Sequence, residues 1–185
     1  MSKHSSLRTL AIAAAIVSLP AIAATAQTSK QTIGSAGAGT AGDKASKTDR
    51  QFLEKSIQGD LAEVQVGKLA EQKSDNADVK KFGQMLEQDH GQHLQKVQAL
   101  AGQVGVTAPT QPSPQQKRTY DRLSRLSGAR FDKSFATAMV DDHKRDIREY
   151  QKEAKTKSAV GDMAGQTVPT LEKHLQTAES LTSKK

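Results

Sequence analysis

From residue 48 to residue 181, apolar side chains return every three or four positions, the period of helices that each bury one face. No run reads as a strand. The first helix starts with Thr48 or Asp49 as N-cap and extends to about residue 73, with Phe52, Leu53, Ile57, Leu61, Val64 and Ala70 on its apolar arc. Ser56, Gly59 and Gly67 lie inside that arc and let a neighbouring helix approach closely. Glu63 is inside it too, within about 60° of the centre. Ser74, Asp75 and Asn76 break the pattern and cap a second helix over about 77–101, closed by Gly102 and Gly105. So short a turn makes the first two helices antiparallel neighbours.

Residues 106–116 hold Pro109, Pro112 and Pro114, which forbid a helix and favour extended backbone long enough to cross a bundle from end to end. A short helical segment follows over 115–126, with Tyr120, Leu123 and Leu126 apolar, and stops near Ser127 and Gly128. The third main helix covers about 129–157. The fourth covers about 159–180, with a bend or restart at Pro169. Its inner face is Val160, Ala164, Thr167, Leu171, Ala178 and Leu181, with His174 among them. The pattern predicts an all-α fold: four main helices, a long crossover and one short extra helix between the second and third.

One motif occurs twice, offset by 53 residues. The first copy is Phe82, Leu86, Asp89, His90, His93, Leu94 and Val97; the second is Phe135, Met139, Asp142, His143, Asp146, Ile147 and Tyr150. Both follow F-x3-[LM]-x2-D-H-x2-[HD]-[LI]-x2-[VY], so a helical apolar stripe carries the polar pair within it. Polar groups on such a stripe cost stability unless they have partners. His90, His93, His143 and His174 all fall on core-facing stripes, as do Glu63, Asp89, Asp142 and Asp146. Packing the second helix on the third brings three histidines and three aspartates into one layer, with Glu63 and His174 supplied by the outer helices.

Imidazole and carboxylate donors together suit a divalent transition metal, Fe, Mn, Zn or Cu(II). The same residues can instead form a metal-free hydrogen-bond network that fixes helix register, and Asp89 and Asp142 can serve by orienting ligand histidines. Glu87 and His90 have the E-x-x-H spacing of di-iron bundles, but Glu87 lies roughly 100° off its stripe and the second copy has Val140 in its place. That spacing is read as coincidental. Met85, Met139 and Met163 read as core filler.

Composition narrows the remaining choices. Lys3 and Arg8, an apolar run over 10–19 and the small residues Ala24-Thr25-Ala26 read as a signal peptide over 1–26, with a run too short to span a membrane. The mature chain is expected in the periplasm. Residues 27–47, rich in Gly, Ala, Ser and Thr, read as a flexible leader, and 48–183 as the bundle domain. The absence of cysteine excludes a disulfide framework, a thiolate metal site and a lipid-modified cysteine. The formal charge of +7 loses two units with the signal peptide. The remaining basic excess suits weak contact with anionic envelope polymers or lipid head groups. Without Trp, and with two Tyr and four Phe, the chain has no basic patch interleaved with aromatics, which argues against nucleic-acid binding. Oligomeric state is not set by the sequence.

Phe52, the run Gly59-x3-Glu63-Val64 with Gly67-x-Leu69-Ala70, and Val79-Lys80-x-Phe82 leading to Asp89-His90 carry a resemblance. Leu126-Ser127-Gly128, Phe131-Asp132, Met139-Val140-x-Asp142-His143 and Pro169-x-Leu171-x2-His174-Leu175 continue it. The chain resembles the exported bacterial ferritin-like proteins grouped as domain of unknown function four-one-four-two, often labelled predicted outer-membrane proteins. The resemblance implies a ferritin-like four-helix bundle in the periplasm or envelope and supplies no activity. A barrel is excluded, since it needs many alternating strands. One inward Glu with Asp-His pairs is not the ligand set of a true ferritin, which speaks against ferroxidase activity. The leading expectation is a non-enzymatic, soluble periplasmic bundle that binds a metal or is held by hydrogen bonds, acting in envelope or stress physiology. Two others stand beside it: a redox-active metal oxidase or peroxide-handling enzyme, and an envelope scaffold or adhesion module.

Overall fold

A computed structural model describes residues 45–183. The expected signal peptide over 1–26 and nearly all of the expected leader lie outside the described residues. The helices are α1 (Lys47–Lys73), α2 (Ala77–Gln103), α3 (Pro114–Ser124), α4 (Gly128–Glu153) and α5 (Ala159–Ser183). Four are long and the third is short, as the sequence pattern predicts. The helices α1 and α2 pair as one hairpin and α4 and α5 as another, while α3 packs on α1 and α4. Among the described residues no helix is long and apolar enough to cross a membrane.

Several ends differ from expectation. The cap of α1 is Ser46, not Thr48 or Asp49: its hydroxyl accepts from Asp49 N at 3.0 Å, and Asp49 Oδ2 accepts from Ser46 N at 3.2 Å. Asp49 is the third-residue partner of a capping box. Pro114 sits in the first turn of α3, where a missing N–H costs nothing, behind a second capping box from Ser113 and Gln116. The helix α4 ends at Glu153 rather than near residue 157, because Thr156 bonds back to Glu153 O through both its N and its hydroxyl. Ser158 Oγ then accepts from Gly161 N and opens α5. No restart occurs at Pro169, and α5 runs through it.

Leu61 and Val64 are only partly buried, and Val66 and Leu69 take the inward places beside Leu53 and Ile57. The reason is a close crossing. A Cβ on Gly67 would fall 2.6 Å from Gly83 O, and one on Gly83 would fall 2.6 Å from Gly67 O. The two backbones touch there, and that contact fixes the rotation of both helices. Gly67 is the expected small residue of the approach; its partner Gly83 carries no such signal in the sequence.

The apolar core comes in two parts. One holds Phe82, Leu86, Phe131, Phe135 and Met139 with Val66 and Leu69. The other holds Leu53, Ile57, Val97, Ile147, Tyr150 and Leu171. Along every long helix the two parts are separated by the same polar level.

Gly83→Ala forces the α1–α2 crossing apart and is expected to cost about 1–3 kcal/mol by chemical denaturation. Gly91→Ala, where nothing lies within 4 Å of the new Cβ, is expected to gain about 0.5–1 kcal/mol. Burial, followed by a hydrogen bond and repulsion from Asp49, raises the Glu153 carboxyl from 4.5 to about 7. A raised carboxyl favours the neutral folded form, so its contribution is complete below pH 4.5 and is lost as pH rises through about 7. Glu153→Gln should therefore match the wild-type Tm at pH 4 and exceed it at pH 8 in thermal melts.

Candidate metal centre

The polar level is built from two positions on α1 and one on each of the other long helices. Asp60 and Glu63 turn inward from α1, His90 from α2, His143 from α4 and His174 from α5, and all five are buried. Apolar layers above and below keep water out, so each polar atom needs a partner within the protein.

Each imidazole has one nitrogen so engaged. His90 Nδ1 lies 2.9 Å from Asp60 Oδ1, His174 Nε2 lies 2.9 Å from Asp89 Oδ2, and His143 Nδ1 lies 2.9 Å from Met139 O. Carboxylate and carbonyl oxygens accept, so these nitrogens carry the hydrogen. Burial, reinforced by the neighbouring imidazoles, lowers His143 to about 3. It lowers His174 to about 4, against the pull of Asp89. Both rings are neutral near pH 7, and a neutral imidazole has one N–H. The second nitrogen of each is therefore a bare lone pair.

Those lone pairs converge. His143 Nε2 and His174 Nδ1 stand 3.2 Å apart, and His90 Nε2 is buried with no hydrogen-bond partner. One ring nitrogen of each of the three histidines lies within 4.8 Å of the other two. Two bare nitrogens at hydrogen-bond distance repel unless a positive charge sits between them. In a tetrahedral metal site with bonds of about 2.0–2.1 Å, neighbouring nitrogens lie roughly 3.3 Å apart. The cluster has the donor type of a metal site, its His143–His174 pair has the spacing, and its outward nitrogens are anchored as metal-ligating histidines are.

Glu63 lies beside His143 on the α1 side, near the ring nitrogen turned away from the cluster. Its Oε1 is 4.0 Å from His143 Nδ1 and its Oε2 has no partner. Burial first, then repulsion from Asp142, Asp146 and Asp60, raises its carboxyl well above the ordinary range and favours the uncharged form.

The single layer of three histidines and three aspartates does not form. His93 sits one turn beyond His90, with Nδ1 2.8 Å from Asp60 Oδ2 and Nε2 near Met163 Sδ and Thr167 Oγ1, at 3.3 and 3.2 Å. Asp142 and Asp146 stay partly exposed and pair with Arg145, whose Nε is 3.4 Å from Asp146 Oδ1. Among the described residues no carboxylate joins the nitrogen cluster at its spacing. The cause is angular: Asp142 precedes His143 by about 100° of helix, so the inward turn of the ring leaves the carboxylate at the flank. Asp89 flanks His90 similarly, yet reaches across to His174. Glu87 faces outward to Lys68 at 3.4 Å, so the E-x-x-H spacing makes no ligand pair.

Asp60 is the residue that sequence reasoning missed. It holds two histidines at once, through separate oxygens. Its signal was present: Leu53, Ile57, Asp60 and Gly67 follow one another at four, three and seven positions, on the stripe that also carries Glu63.

Beside the cluster, α1, α3 and α4 enclose a cavity of about 470 Å³ whose wall includes Asp60 and His90. Its opposite wall carries Asp142, Arg145, Asp146 and Glu149.

The fold is similar to that in the crystal structure of a DUF305 fragment from Deinococcus radiodurans, with a TM-score of 0.67 and 17% identity over 75% of this chain and 97% of that one. At that identity the likeness is one of fold. No curated protein sequence matches significantly. The model of the domain of unknown function DUF4142 matches residues 34–181, which take in the five helices but for the last two residues of α5 and include all three clustered histidines, and the chain belongs to that family.

Proposed function

We propose that this is an exported, periplasmic helical bundle whose function is to bind one divalent transition metal ion through His90, His143 and His174. The observation that carries the reading is the convergence of three buried ring nitrogens, two of them bare lone pairs 3.2 Å apart, where a hydrogen-bond network would have set an N–H against a lone pair. Three neutral imidazoles suit Zn(II), Fe(II) or Cu(II). Glu63 is the carboxylate placed on the α1 side, its Oε2 without a partner. Asp60, Asp89 and the Met139 carbonyl fix the ring orientations. Export rests on the signal-like segment over 1–26, and in the oxidising envelope thiols are held as disulfides, which do not compete for the ion.

Elemental analysis of untagged protein isolated from the periplasm is expected to find close to one ion per chain. The His90→Ala/His143→Ala double variant should lose it. Metal added at about 100 times Kd should raise wild-type stability by about 2.7 kcal/mol and leave that variant unmoved. A wild type that holds no ion, with a double variant that only melts earlier, would show the cluster to be structural. Asp60→Ala, which releases His90, is expected to weaken metal binding about 10- to 100-fold in a chelator competition.

A further inference from the structure

The reading of the three histidines as ligands poses a second question, namely how an ion reaches them. His143 and His174 have 0% of their surface exposed and His90 has 7%. The two apolar clusters close the level above and below. Of the three ligand histidines, only His90 borders the cavity between α1, α3 and α4. The cavity thus touches solvent on one side and the candidate ligand set on the other.

Its chemistry is that of a cation path. Asp60, Asp142, Asp146 and Glu149 face it against Lys55 and Arg145, so carboxylates outnumber cations two to one. A hydrated dication needs such oxygens to replace its waters stepwise. Arg145 occupies the place a passing cation would take, bonded to Asp142 and 3.4 Å from Asp146. Its side chain is half exposed, so it can swing outward at the modest cost of a surface ion pair. Gly59 completes the wall: a Cβ there would meet only Gln116 Nε2, at 4.0 Å. The lumen is open where any larger side chain would fill it.

We infer that this cavity is the entrance through which a divalent cation reaches His90, His143 and His174, and that Arg145 is the internal counter-ion the cation displaces. The inference rests on the proposed metal site. The ion arrives along the Asp142–Asp146 wall, meets His90 first and passes to the enclosed pair behind it.

The test is the rate at which the metal-free full-length protein takes up Co(II), followed by stopped-flow visible absorption across a salt series, with final stoichiometry from elemental analysis. Gly59→Phe should slow uptake by roughly tenfold or more with unchanged stoichiometry and an unchanged melting curve. Asp142→Asn/Asp146→Asn should slow it roughly tenfold at low salt and flatten its salt dependence, since steering by charge is screened. Arg145→Gln should speed it. Uptake rates that match wild type in Gly59→Phe and in the double Asn variant, at full stoichiometry, would overturn the entrance and leave the site standing. No uptake by the wild type would overturn both.

Discussion

The bundle depends on holding three imidazoles inside an apolar core, two of them kept uncharged by desolvation. Desolvation holds His143 and His174 neutral, and neutrality dictates where their single protons go. Asp89 and the Met139 carbonyl accept those N–H groups and Asp60 accepts from His90 Nδ1, leaving the lone pairs of His143 and His174 facing one another. Everything nearby serves that arrangement. Glu63 Oε2 and His90 Nε2 are left as buried polar atoms of that level with no hydrogen-bond partner. A core built only for stability would fill this height with Leu or Val, as it does on both sides.

Arg145 and the carboxylates of the α4 flank show a different balance. Partial burial raises Asp146 to about 6, against the neighbouring guanidinium. His143 and His174 are enclosed and neutral, while the cavity wall is charged, with carboxylates in excess of cations. Separating the two places the strong field where a cation can still exchange its water, and keeps unpaired charge out of the core.

Much of this was legible in the chain. Helical periodicity gave the four long helices, the prolines gave the crossover, and the doubled Asp-His motif located the polar level to within a turn. The inward places of Glu63, His90, His143 and His174 follow from counting alone. What counting could not separate is which of two adjacent polar residues turns in: Asp142 and His143 differ by one step, and only packing against α1 and α5 decides. Asp60 was hidden because a carboxylate on an apolar stripe reads as a rim residue until the two histidines it holds are in place. Ser46 escaped notice because capping depends on a reciprocal side-chain contact, and Thr48 and Asp49 were equally plausible caps by type.

The pairing of helices as α1 with α2 and α4 with α5 has a consequence for how the chain folds. Each hairpin is held by contacts between near sequence neighbours, which form fast and need little loop closure. The three ring nitrogens come from both: His90 from the first hairpin, His143 and His174 from the second. Neither half can assemble the cluster alone, whatever its helicity. The cluster is therefore a reporter of docking and register, absent from any half-folded chain and complete only when residue 90 has met residues 143 and 174 across the closed seam.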